Sequence, residues 1–156
     1  MILYRNIGLT ELNILIKTGT VNGRYHILNE CQSSGTIIDA ICTFTEPIKW
    51  HDKNHQFFVI LDIPESQIIE HGTGKYYAAK NFAETKIWTG RRGKTEYLLN
   101  EAYLSNYSIQ NVVKIYAYSK DFTTTTFNEL TSELTKFNIN LIGSNNLSIG
   151  LDSKGN

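Results

Sequence analysis

Two kinds of apolar spacing run through the chain. Phe57-Phe58-Val59-Ile60-Leu61 is a continuous apolar run closed by Asp62 and Pro64, the pattern of a strand buried on both faces. Ile2-Leu3-Tyr4 predicts a short first strand ending at Arg5. Residues 37–45 predict a strand, or a short helix leading into one, ending at Pro47; residues 96–99 and 112–118 predict two more strands. Helical spacing occurs twice. Leu12, Leu15 and Ile16 give an apolar face to a helix over about residues 11–17, with Thr10 placed to cap it and Gly19 to stop it. Thr126-Phe127-Asn128-Glu129 matches a capping box, and Phe127, Leu130, Leu134 and Phe137 then form a stripe suited to core packing.

The connections are predicted from turn chemistry. Pro64 suits the first turn of a short helix through Ile68 and Ile69. Val21-Asn22-Gly23-Arg24 carries a tight-turn signal, and residues 29–36 and 71–75 read as loops. Residues 139–142 and 147–151 are expected to pair as a hairpin across Ser144-Asn145-Asn146. Strands dominate without a regular βα alternation, which predicts an α+β domain over residues 1–151 and a fraying tail over 152–156.

Composition narrows the class. At 156 residues, 41% apolar and 19% charged, the chain is long enough to bury a core and reads as globular. No apolar run approaches the roughly 20 residues of a membrane-spanning helix, and no signal peptide is visible, so a cytoplasmic protein is expected. Cys31 and Cys42 make neither a disulfide framework nor a zinc pair. The net charge of zero hides a strong asymmetry: residues 75–94 carry six Lys/Arg against one Glu. That segment can meet phosphates locally, or simply form a solvated lysine-rich loop.

Within this region the sequence Gly90-Arg91-Arg92-Gly93-Lys94-Thr95-Glu96-Tyr97-Leu98-Leu99 sets a mobile basic loop before one carboxylate that opens an apolar run. Cleaving the nicotinamide–ribose bond of a dinucleotide builds positive charge on the sugar. A fixed carboxylate in a water-poor site stabilises that charge, and neighbouring cations bind phosphate.

Four segments, in order, carry a resemblance: Leu3-Tyr4-Arg5; residues 10–19, ending at Thr18-Gly19; Cys42-Thr43-Phe44-Thr45; and residues 91–99 with the strand after them. A further run over residues 57–69 accompanies them. Together they resemble the ADP-ribosyltransferase fold family, particularly its small bacterial and phage members that act as DNA-targeting toxins of toxin–antitoxin systems. The resemblance covers about residues 2–118. It implies a split, twisted β core with short flanking helices and an NAD site in the cleft between its halves. Glu96 would be the catalytic carboxylate. Tyr4, Arg5, Thr43, Thr45, Tyr76 and Tyr77 would bind NAD, with Arg5 on the pyrophosphate and a tyrosine stacked on nicotinamide. Arg91, Arg92 and Lys94 would meet the acceptor. NAD is the implied co-substrate, no metal is needed, and a nucleic acid is slightly preferred to a protein as acceptor. An antitoxin or a host target protein is a possible partner. Lys94 stands two positions before Glu96, so the Glu-x-Glu pair of arginine-modifying members is missing.

Two alternatives stay open. The same fold could serve as a non-catalytic module that binds a nucleotide or blocks a host defence protein. It could also transfer an RNA 2′-phosphate to NAD. Other signals are slighter. His51 and His55 have ligand spacing for a helix but no third ligand nearby. Gly72-Thr73-Gly74-Lys75 lacks the full spacing of a phosphate loop and reads as a turn.

Overall fold

In the computed structural model, which describes residues 1–23, 40–47, 54–76 and 97–144, the chain builds one large sheet and one small one. The strands are β1 (Ile2–Ile7), β2 (Thr20–Asn22), β3 (Ile41–Phe44), β4 (Phe57–Asp62), β5 (Ile68–Tyr76), β6 (Tyr97–Leu104), β7 (Asn106–Ser108), β8 (Val112–Tyr118) and β9 (Leu141–Ser144). The helices are α1 (Leu9–Thr18) and α2 (Thr124–Thr135). The seven-stranded sheet has the order β5-β6-β3-β1-β4-β8-β9, and β2 pairs with β7 in a separate two-stranded sheet. All pairs are antiparallel except β8 with β9. An α+β architecture is therefore the observed fold class.

Alternation along the strands separates the two faces of the large sheet. Leu3, Ile7, Ile41, Phe57, Val59, Leu61, Ala102, Leu104, Ile115 and Ala117 point to one face. Leu12 and Leu15 of α1, Leu130 and Leu134 of α2, and Val21 and Tyr107 of the small sheet complete that core. Both helices and the small sheet thus cover the same face.

Several elements differ from the sequence expectation, each because a distant part of the chain supplies the missing group. Helix α1 starts at Leu9, not after Thr10, with Gly8 as its N-cap. The Leu9 amide donates to the side-chain oxygen of Gln56 at 3.2 Å, so a residue from the edge of β4 does the capping. Gly19 ends the helix as expected, at φ 80° with its amide on the Leu15 carbonyl. Helix α2 starts three residues early: Thr123, not Thr126, is the cap, and its hydroxyl accepts from the Thr126 amide at 3.1 Å. Phe127, Leu130 and Leu134 pack as the stripe predicts, but Phe137 lies beyond the helix and is 42% exposed. Pro64 leads a 3-10 turn over Glu65–Gln67, and Ile68 and Ile69 already belong to β5. Residues 71–75 are strand rather than loop, because β5 pairs along its length with β6. Of the residues in the turn expected at 21–24, Val21 and Asn22 belong to β2, which pairs with β7, and Arg24 lies outside the described residues. Strand β9 lies parallel to β8, and residues 147–151 of the expected hairpin lie outside the described residues.

Gly8 is required by close approach. A Cβ there would sit 2.5 Å from the Asn54 carbonyl oxygen, a backbone atom that cannot swing away. Gly8→Ala is expected to destabilise the fold by about 1–3 kcal/mol, the cost of forced overpacking. Chemical denaturation measures it, and a midpoint equal to wild type would contradict the close contact.

Candidate functional site

The sheet has one distinctive end, where β1 begins and β3 stops while β5 and β6 continue together. Phe44 pairs with Glu101, whereas β6 extends back to Tyr97, which pairs with Tyr76 of β5. The step left beside the end of β3 holds a pocket of about 420 Å³ lined by Met1, Thr45, His71, Gly72, Thr73, Asn100 and Glu101. The backbone closes it from below: the Thr45 amide donates to the Asn100 carbonyl at 3.2 Å, and Thr73 is the register partner of Asn100. Strand alternation puts Thr45, His71, Thr73 and Asn100 on the helix-bearing face. Their groups are hydroxyls, an amide and an imidazole, which beside Met1 and Glu101 can bind ribose hydroxyls or a carboxamide by hydrogen bonds.

Arg5 does not reach this pocket as a free cation. It is 3% exposed and lies on the core face of β1. Its Nε donates to Glu11 Oε2 at 2.8 Å, its Nη2 to Glu11 Oε1 at 2.7 Å, and its Nη1 to the Cys42 carbonyl at 2.7 Å. The Tyr107 hydroxyl donates to the same Glu11 carboxylate at 2.5 Å. Its fork grips a buried carboxylate in the bidentate geometry that the expected pyrophosphate contact would need, so such a contact would have to displace Glu11. Glu11 was missed because an acidic residue in the first turn of a helix reads as a solvated dipole partner. Only the packing of α1 on β1 reveals it as the counter-ion.

Burial, then the Glu11 charge, pushes the Tyr107 phenol well above its ordinary 10.0, with Arg5 pulling the other way. A raised folded-state value means that the neutral phenol stabilises the fold below pH 10 and that this stability is lost as pH climbs above it. Tyr107→Phe is expected to reduce the alkaline loss of stability, read as unfolding midpoint against pH. An unchanged profile would remove Tyr107 as its source.

Among the described residues, Tyr4, Thr43 and Thr45 do not converge on one site. Thr43 is fully buried and its hydroxyl donates to the Ala102 carbonyl at 2.7 Å, so it ties β3 to β6 rather than facing a ligand. Thr45 lines the pocket. Tyr4, one residue from Arg5, points to the opposite face, where its ring stacks on Phe58 at 5.8 Å. Tyr76 ends β5 and is the register partner of Tyr97 of β6. Tyr77, Arg91, Arg92, Lys94 and Glu96 lie outside the described residues, as do His26, Cys31 and His51. Among the described residues no group of three metal-ligating side chains occurs.

A second polar cluster lies on the face away from the helices. Glu101 is fully buried; the Tyr103 hydroxyl donates to its Oε1 at 2.6 Å, and Cys42 Sγ lies 3.1 Å from its Oε2. Sequence spacing gave no sign of it, because the alternation of β6 and β3 had to be fixed first. Comparison with family models, with curated proteins and with solved structures gives no match.

Proposed function

We propose that the protein transfers ADP-ribose from NAD to a macromolecular acceptor, with the dinucleotide held at the step between β3 and the β5–β6 arm. One observation carries this. The chain enters β6 at Tyr97, one residue after Glu96, and the polar pocket lies farther along the same strand, against Asn100 and Glu101. Cleavage of a glycosidic C–N bond requires groups that hold the sugar by its hydroxyls and a carboxylate for the developing cation; the pocket offers the former, and Glu96 is the carboxylate assigned to the latter. The six Lys/Arg of residues 75–94 supply positive charge for phosphates, a task Arg5 cannot share while it pairs with Glu11. Arg5 and Glu11 instead lock α1 and the small sheet onto the large one.

The same neutralised Arg5 favours a second reading, a non-catalytic module that binds a nucleotide or a partner protein on this fold. Incubation with NAD labelled in its adenylate half, with separate protein, DNA and RNA pools, separates the two. Label on a macromolecule is expected. Saturable NAD binding without transfer would leave the binding module, and no NAD binding at all would overturn both nucleotide readings.

A further inference from the structure

Strand β5 forms one edge of the large sheet, and among the described strands it pairs with β6 alone. Ile69 is 53% exposed, Glu70, His71 and Thr73 are exposed, and Gly72 is half-buried. Among the described residues, none of 68–73 has a hydrogen bond or ion pair beyond the ladder it shares with β6. An edge of this kind presents a row of unpaired N–H and C=O groups, which soluble folds blunt with proline, lysine, a bulge or a short strand. The opposite edge, β9, is only four residues long. In β5 the irregularity between Ile68 and Glu70 blunts the start of the strand. Its centre, His71-Gly72-Thr73-Gly74, carries neither proline nor lysine. Glycines inside a strand mark places where another backbone can approach closely.

The same edge on a second copy is self-complementary to it. A two-fold axis perpendicular to the sheet pairs the strands antiparallel and keeps like faces on one side, so the pairing centres on one residue. Centring on Glu70 sets carboxylate against carboxylate, and centring on His71 sets imidazole against imidazole. Centring on Thr73 sets His71 opposite Lys75, another basic residue. Centring on Gly72 avoids all three: Glu70 meets Gly74 of the partner subunit, and His71 meets Thr73 of the partner subunit. We infer that the protein forms a homodimer through β5, paired about Gly72, with one continuous sheet running through both copies. Residues directly opposite stand about 5 Å apart, so the imidazole of each copy reaches the threonine hydroxyl of the other. His71 and Thr73 both line the pocket, so each copy supplies a hydroxyl at the rim of the other's pocket. A single strand pair is a small interface, which makes the dimer reversible rather than obligate. The dimer does not depend on the transfer activity proposed above.

The test is sedimentation velocity of the full chain over about a hundredfold range of concentration. The average mass is expected to rise from one chain towards two. Thr73→Lys sets a lysine opposite His71 twice in each dimer and should raise the dissociation constant on the order of tenfold or more. Thr125→Lys, on the exposed side of α2, adds the same charge away from β5 and should leave the dimer intact. Melting curves establish that both variants are folded. Hydrogen exchange at the two ends of the concentration range should show added protection confined to β5. Oxidising a mixture of His71→Cys and Thr73→Cys chains should yield more cross-linked dimer than either variant alone, which reads the register. A chain that stays monomeric throughout would overturn the inference and leave the edge to a strand of another protein. A dimer that Thr73→Lys leaves unchanged, or protection located away from β5, would place the interface elsewhere and overturn it as well. Equal cross-linking by either cysteine variant alone would overturn the pairing about Gly72.

Discussion

Glu96→Gln is expected to lower ADP-ribosyl transfer by on the order of 10²–10³-fold while leaving the melting temperature and NAD affinity close to wild type. The substitution keeps the side-chain shape and removes only the charge. Ground-state NAD carries no excess positive charge on its ribose carbon; the departing nicotinamide creates it. Under the proposed transfer the carboxylate would act on the transition state, and its loss should appear in kcat rather than in binding. Turnover by the mutant equal to wild type would remove Glu96 from the chemistry. A parallel loss of NAD affinity would instead make it a binding residue.

Arg5→Leu is expected to cost about 3–5 kcal/mol of stability, because it strands the buried Glu11 carboxylate without its counter-ion. It also takes a donor from the Cys42 carbonyl. For a chain of this size the melting temperature should fall on the order of 10 °C. Leucine at both Arg5 and Glu11 should recover much of that loss, since apolar replacement of a whole buried pair is often nearly neutral. Denaturant unfolding of the two single variants and the double variant measures the coupling. If Arg5 were a phosphate ligand instead, Arg5→Leu would keep its stability and lose NAD affinity. The double variant would then rescue nothing. The two outcomes are read in different experiments, so they cannot be confused.

The central elements were legible in the sequence because their signals are local. The run Phe57 to Leu61 is apolar at every position, and β4 is indeed flanked by β1 and β8 and covered on both sides at Phe57 and Phe58. Residues 112–118 and β8 coincide, and Gly19 stops α1 through a left-handed conformation that glycine adopts without strain. Boundaries failed where the deciding partner was remote. Thr10 looked like a cap, but Gln56 caps α1 from across the fold. Gly72-Thr73-Gly74 looked like a turn, yet pairing with β6 holds it extended, overriding a weak backbone preference.

The candidate site divides in the same way. The sequence by itself determined the α+β class, the central strands β1, β4 and β8 and the concentration of charge in residues 75–94, since periodicity and composition need no partner. Tertiary structure alone decided what the side chains face. Tyr4 and Arg5 are neighbours in sequence and opposites in space, because successive strand residues point to opposite faces. Arg5 met Glu11 because α1 folds back over β1, and a charge leaving water must find its counter-charge at once. Thr45 and Thr73 came to one pocket only when β3 stopped short of the β5–β6 arm. Residue type announced a capacity for chemistry; register and burial chose which residues were left able to use it.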